Sequence, residues 1–364
     1  MHVICPHAVG TLEIETLDGV TIHRFRYAPG TLETLIADGG ILANLQRTPW
    51  KWLLLPFFLF AMAQKTISLV RRLRPTLIHA HWLIPQGAIL WCIGKIFSLP
   101  PVVLTSHGGD LFSFTGTLGT WIKRRVLRQA CQVAVVSEAM REIAIQLGAD
   151  IKTTSVCPMG ITIPDPPPDH TLPPRIGGQI LFVGRLVEKK GLKFLLAAMP
   201  AISAAVPHAQ LMIIGGGPEE AKLTKQIKDL DMQSRVTLLG PVPHHQLAGY
   251  YQQASLFVAP FIEAQSGDIE GLGLVTIEAI SHHCPVLVGN VPAVMDVIPP
   301  TWRANCVVQA NQTDTLAQGV LARLQHPAGI KEKQALYDHV VGTYSWQQVT
   351  RRYLQLFNRV THQW

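Results

Sequence analysis

The residues with the clearest chemical potential are two carboxylates eight positions apart, in the run Glu270-Gly-Leu-Gly-Leu-Val-Thr-Ile-Glu278. The first lies in a Gly-rich loop, and the second is expected about two turns into the helix that follows. That spacing lets Glu270 face a ligand across a helix N-terminus, where the amides of Gly271, Leu272, Gly273 and Leu274 can meet phosphate oxygens. Glu278 is an acceptor-only group suited to a pair of ribose hydroxyls. Without a ligand it reads as an exposed helical acid, although its neighbours Ile277, Ala279 and Ile280 are apolar. A second cluster, Phe182-Val-Gly-Arg-Leu-Val-Glu-Lys-Lys-Gly-Leu192, ends a strand at Gly184 and opens a helix after Gly191. Arg185 brings a planar fork and Lys190 a point charge, a pair able to neutralise a diphosphate. Their bland reading is a loop with solvated cations. In Leu104-Thr-Ser-His-Gly-Gly-Asp110, His107 is either a sugar-binding side chain or a structural histidine. The turns His79-Ala-His-Trp82 and Ser137-Glu138 could line the same cleft. Gly215-Gly-Gly-Pro-Glu219 lacks the G-x-G-x-x-G spacing of a dinucleotide site, and a tight strand-to-helix turn with Pro218 explains it.

These groups need strand ends and helix starts to hold them. Short β-branched runs alternate with helical stretches along nearly the whole chain, the pattern of parallel α/β architecture. The first half offers strands at Val3–Cys5, Val20–Phe25, Leu77–Ala80, Val102–Ser106, Val133–Val136 and Thr154–Cys157. Six prolines in the eleven residues Pro164–Pro174 then make a stiff connection, and the domain boundary is placed there. The second half offers strands at Ile180–Val183, Leu211–Ile214, Val236–Leu239, Leu256–Ala259 and Pro285–Val288. Helices are expected at Leu192–Ala205, Glu219–Leu230, 244–253 and 272–281. Two doubly wound halves, residues 1–165 and 176–344, imply a cleft between them. The last helix, from about Ser345, could cross back to the first.

Composition narrows the partners. At 48% hydrophobic and 15% charged, 364 residues can bury two ordinary cores, which excludes wholesale disorder and coiled coil. The net charge of +7 comes mainly from the first half, with 15 basic against 10 acidic residues up to Asp165 and 16 against 14 beyond. This modest, unclustered excess suits an anionic small molecule or a lipid surface better than a nucleic-acid groove. Six scattered cysteines without a C-x-x-C pair argue against a zinc knuckle or a secreted disulfide scaffold. No signal-peptide pattern opens the sequence, so the cytosol is expected. The twelve uncharged residues Trp52–Ala63 fall short of the about 20 that a spanning helix needs. They read either as a buried helix kinked at Pro56 or as an interfacial helix anchored by Trp50 and Trp52 beside Lys51.

Taken in order, S-H-G-G-D, F-V-G-R-L-x-x-x-K-G, G-G-G-P and the E-x7-E of EGLGLVTIE resemble the family 4 glycosyltransferases of GT-B fold. The likeness runs from about Leu77 to the C-terminus and is densest between Ile180 and Gly289. It implies two Rossmann-like domains facing across a cleft, and a retaining transfer of sugar from a UDP- or GDP-sugar to the hydroxyl of a glycan or lipid-linked acceptor. It implies no metal or other cofactor, because protein cations neutralise the leaving diphosphate. By the resemblance, Arg185 and Lys190 match the diphosphate-binding positions and Glu278 the ribose-binding one. Glu270 matches the residue near the donor sugar hydroxyls, and His107 the one reaching that sugar from the other domain. The expected setting is polysaccharide or glycolipid synthesis, peripheral on the inner face of a membrane. The family pattern opens with a strand, a Gly-rich turn and a helix that are not seen before Val3–Cys5, and a start codon placed too late is the expected reason. The competing reading is a truncated chain with an exposed sheet edge, binding a nucleotide sugar or a partner without turnover. A dinucleotide-dependent dehydrogenase would need a G-x-G-x-x-G after the first strand of a half, and none occurs.

Overall fold

A computed structural model describes residues 1–37, 40–112, 116–164 and 174–362. The proline-rich connection on which the sequence places the boundary lies almost wholly outside them. The chain enters the second half at Arg175, whose guanidinium donates to the carbonyls of Tyr251 (3.0 Å), Ala254 (2.7 Å) and His283 (2.7 Å).

The first half contains β1 (His2–Pro6), β2 (Ile14–Leu17), β3 (Val20–Phe25), β4 (Ile78–His81), β5 (Val102–Ser106), β6 (Gln132–Val135) and β7 (Thr154–Val156). They form two sheets: β1-β3-β2, with β1 parallel and β2 antiparallel to β3, and the all-parallel β4-β5-β6-β7. Among the described residues, β1 and β4 each pair along one edge only. The single doubly wound sheet expected for this half is thus divided.

The second half contains β8 (Ile176–Val183), β9 (Gln210–Ile214), β10 (Val236–Gly240), β11 (Ala254–Ala259), β12 (Val286–Gly289) and β13 (Val307–Val308). All pair in parallel in one sheet of order β10-β9-β8-β11-β12-β13. The chain winds outward from β8 to β10, then returns to β11 and winds the other way. The winding therefore reverses between β8 and β11, the place where open α/β sheets leave a crevice at their strand ends. The inner strands are buried on both faces, as crossover helices on both sides require.

A continuous apolar core links the halves, running from Leu104 and Met140 to Leu272 and Ile277. The last helix, Trp346–Thr361, packs Leu356 and Val360 against Val103, Ala134 and Cys157 of the first half. The helix Leu54–Leu73 corrects two expectations. Pro56 sits in its first turn, where no intrahelical N–H is required, so it starts the helix instead of kinking it. The apolar character also continues past Ala63, and Pro49–Leu73 is long and apolar enough to cross a bilayer by length and composition. One face is core: Leu54, Phe58 and Met62 are buried, and Phe58 meets Phe25 and Tyr27 edge-on. The opposite face is open, with Leu53 71%, Phe57 63% and Phe60 68% exposed.

Candidate active site

At the winding reversal, β8 and β11 end side by side. Leaving β8, the chain turns at Gly184 and passes under the β9 exit. There a Cβ on Gly215 would collide with the Gly184 carbonyl oxygen. Leu186 N then donates to Gly216 O (3.0 Å), and Glu219 N to Leu186 O (3.1 Å). The glycines of Gly215-Gly-Gly-Pro are accounted for by this close packing, in line with the bland reading of that motif.

The same exit delivers Lys190. Its ammonium lies 2.8 Å from Glu270 Oε2 and 4.7 Å from the centre of the Phe261 ring, which follows β11. Both charged side chains are nearly enclosed, at 12% and 14% exposure. Glu270 Oε1 accepts from Gly273 N at 3.3 Å, so one carboxylate ties the β8 exit to the Gly-rich loop. Burial pushes the Glu270 carboxyl up. Lys190, its hydrogen bond, Lys189 and the Gly273 amide together outweigh this and hold it below its ordinary value, so it is ionised at neutral pH. Lys189 is fixed nearby on Asp268 (3.1 Å) and the Ile269 carbonyl (3.2 Å). Arg185 is exposed, and no described side chain pairs with it.

The Gly-rich loop opens the helix Leu274–Ser281 through Gly273, at φ +78°, with no side-chain cap on its first-turn amides. Thr276 N already donates to Gly273 O at 2.8 Å, but the Leu274 and Val275 amides ahead of it precede the first intrahelical bond at the positive end of the dipole, so they can receive an anion. Leu272 is 4% exposed, which leaves its side chain in the core and only its backbone for a ligand. Gly271 and Gly273 flank it on the loop, and Leu274 opens the helix. Because the helix begins at Leu274, Glu278 sits about one turn inside, nearer the N-terminus than the two turns expected. Glu278 is not an exposed helical acid. Its Oε2 accepts from the Tyr251 hydroxyl (3.0 Å), and His244 Nε2 lies 3.1 Å from Oε1. Burial, then the Glu278 charge, raise the Tyr251 phenol well above its ordinary value, so it remains a donor.

From the first half, the turn after β5 is organised by Asp110, 2% exposed. Its carboxylate accepts from Leu83 N (2.6 Å), Ser106 Oγ (2.9 Å) and His107 N (3.2 Å), binding the β4 and β5 exits into one unit. His107 Nε2 and His81 Nδ1 share a 2.9 Å hydrogen bond between stacked rings. The His79 ring lies 4.2 Å from that of His81, and His79 Nε2 meets Thr105 Oγ1 at 2.7 Å. Burial, reinforced by the neighbouring histidines, lowers His79 to about 3 and His107 to about 4, so both are neutral at pH 7.

The two halves meet backbone to backbone. A Cβ on Gly271 would lie 3.1 Å from His107 O and 3.5 Å from Gly108 Cα. A second contact crosses nearby, where Glu138 N donates to Asp296 Oδ2 at 2.6 Å. Lys190, Glu270 and Gly271–Leu274 therefore adjoin His107, Glu278 lies one turn behind, and Arg185 is exposed with no described side chain paired to it. Residue reading missed Asp110, Tyr251 and His244. Asp110 closes the S-H-G-G-D run and could have been found there, whereas Tyr251 and His244 carry no local signal.

Two family models match successive parts of the chain. Residues 1–163 match one described as Glycosyltransferase Family 4, and residues 176–337 match one described as Glycosyl transferases group 1. A protein of Bacillus subtilis named for teichuronic acid biosynthesis, the glycosyltransferase TuaC, is 29% identical over 268 residues, covering 70% of this chain and 63% of that protein. A GDP-mannose-dependent alpha-(1-6)-phosphatidylinositol monomannoside mannosyltransferase of Mycobacterium tuberculosis is 32% identical over 142 residues, 39% of this chain and 37% of that one. The chain thus spans less than two thirds of either relative. Among solved structures, sucrose-phosphate synthase from Thermosynechococcus elongatus superposes with a TM-score of 0.78 at 19% identity, over 100% of this chain and 89% of that one. With both halves matched and the fold shared, the chain belongs to the family 4 glycosyltransferases of GT-B fold.

Proposed function

We propose that the protein is a retaining glycosyltransferase that moves a sugar from a nucleotide-diphosphate sugar to the hydroxyl of a glycan or lipid-linked acceptor, in polysaccharide or glycolipid synthesis. The observation that carries this reading is the enclosed Lys190–Glu270–Gly273 cluster at the β8/β11 reversal, set against the His107 turn of the other half. The nucleotide ribose binds Glu278 by displacing His244, with Tyr251 holding the carboxylate in place. The diphosphate lies across the first-turn amides of Leu274–Ser281, with Lys190 and the exposed Arg185 as its cations. Ionised Glu270 accepts from donor-sugar hydroxyls, and neutral His107 reaches the same sugar from the opposite wall.

In the transfer, the bond from the anomeric carbon to the phosphate oxygen breaks and its electron pair leaves with the diphosphate. The acceptor oxygen bonds to that carbon on the face being vacated, and its proton passes to the departing phosphate oxygen. Negative charge grows on the diphosphate as the bond lengthens, so cations and amides fixed there stabilise the transition state more than the bound donor. These groups supply the neutralisation without a metal ion, and transfer should therefore proceed in excess chelator. The relatives support the donor and acceptor classes, since one is named as GDP-mannose-dependent and acting on a phosphatidylinositol mannoside and the other for teichuronic acid.

The test is calorimetry with UDP and GDP on the wild type and Glu278→Ala, alongside transfer assays. One nucleotide should bind, with affinity falling about tenfold in the variant, as loss of a charge-assisted ribose contact predicts. An unaltered affinity overturns the ribose assignment. Binding without turnover across many acceptors would instead favour a chain that holds the donor without using it.

The acceptor is proposed to come from the inner face of a membrane, with the protein peripheral to it on the cytoplasmic side. Leu53, Phe57 and Phe60 make an exposed apolar stripe with Trp50 and Trp52 at its head, and Arg71 and Arg72 lie farther along the same helix. An apolar wedge followed by cations suits an anionic lipid surface.

A further inference from the structure

Trp82 lies at the exit of β4 in a conformation that bulky residues avoid, φ +80° and ψ 132°. Hydrogen bonds on both sides hold it there: Trp82 N donates to Thr105 O (2.7 Å), Gly87 N donates to Trp82 O (3.1 Å), and the next residue, Leu83, donates its N–H to Asp110 (2.6 Å). The indole is not thereby buried. It is 40% exposed, its ring centre is 5.5 Å from that of His107, and its Nε1 finds no acceptor among the described residues. A Cβ on Gly109 would come within 3.3 Å of Cζ3, so the glycine leaves room for the ring. A large aromatic held out from a strained backbone and flanked by His81 and His107 has the make-up of a ligand wall: one flat apolar face with polar groups at its rim.

We propose that Trp82 is the platform on which a pyranose ring of the acceptor stacks. This rests on the transferase reading above and names the chemistry of its acceptor side. The flat face suits the C–H face of a sugar, while Nε1 and the imidazoles are left for its hydroxyls. The assignment to the acceptor follows from which glycine faces what. Gly108 meets Gly271 of the donor loop, whereas Gly109 meets the indole. The turn 107–109 therefore stands between Trp82 and the Lys190–Glu270 cluster, with His107 bordering both sides.

The test uses the full chain labelled with 15N-tryptophan, the Trp82 indole signal being identified by its loss in Trp82→Phe. Methyl glycosides of glucose, mannose and galactose are titrated in, with and without UDP or GDP. At least one glycoside should shift the Trp82 signal. In Trp82→Ala the apparent acceptor KM should rise about tenfold, and Trp82→Tyr should recover most of it, with nucleotide affinity unchanged throughout. Thermal melting of each variant separates a lost platform from a lost fold. The proposal is overturned if no glycoside moves the Trp82 signal, or if folded Trp82→Ala keeps the wild-type KM. A wild type that binds neither nucleotide would sink the donor reading instead, because the glycoside titration is read without donor.

Discussion

The six described strands of the second half form one parallel sheet, whereas the seven described strands of the first half divide between two sheets. The chemistry-bearing residues follow the same division. Lys190, Glu270 and Glu278 hang from the centre of the continuous sheet and the helix after it, each already engaged by a protein partner. His81, Trp82 and His107 hang from β4 and β5, the first of them an edge strand, and their loops are held chiefly by one buried carboxylate, Asp110. The half that would take an invariant nucleotide is preassembled by buried charge. The half that would take the acceptor depends on a few hydrogen bonds at a sheet edge, and stability need not be uniform across the two.

The largest effect expected from this contrast is on turnover. Lys190→Ala should lower kcat about 10²- to 10³-fold, in the range of removing one preorganised charge stabiliser, and should also lower the melting temperature, because the nearly enclosed Glu270 loses its cation. A rate within a few-fold of wild type would refute the donor role of the second half. Next in size, Asp110→Ala leaves three donors without their acceptor and should cost about 3 kcal/mol. Hydrogen exchange would report it as lost protection over residues 78–112 with β8–β12 unchanged, and uniform loss would show the halves to be one cooperative unit.

Acid sharpens the comparison. The unfolded chain takes up protons at His79 and His107 from about pH 6.5 downward, while the folded first half refuses them until about 4 or below. Its stability should therefore fall across that window. Asp110, held above its ordinary value by burial, works in the opposite direction. Glu270, held below its ordinary value, keeps its contribution until the pH falls beneath the usual carboxylate range. Exchange near pH 5 should accordingly quicken in β4–β6 before β8–β12, and the reverse order would break the assignment. The smallest effect expected is on lipid binding. Phe57→Ser with Phe60→Ser should reduce flotation with anionic vesicles several-fold and leave turnover of a soluble acceptor untouched.

The β-branched run Val102–Ser106 after Pro101, and the Leu- and Ala-rich helix Leu192–Ala205 after Gly191, were legible in the sequence to the residue. The short hairpin strand Ile14–Leu17 was not, because its side chains are largely exposed and the run has no clean alternation. Its turn, Asp18-Gly19 with φ +49° and +77°, is nonetheless the Asp-Gly pair that such hairpins favour. The order of strands was beyond local reading, since pairings such as β8 with β11 join residues some 76 apart. The same limit applied to the site. The E-x7-E spacing disclosed Glu270 and Glu278, but Tyr251 and His244 reach Glu278 from 27 and 34 positions away. Exposure was likewise hidden in Trp50–Ala63, where core and interface readings each describe one face of the same helix.

At Gly108 and Gly271 the halves touch main chain to main chain, with the Met140 sulfur alongside. Side chains can be exchanged there only by adding bulk, so the seam behaves like a mechanical stop. A side chain on Gly108 would press against the opposing loop and wedge the jaws apart, widening the gap between sugar and acceptor without replacing a side chain that binds either of them.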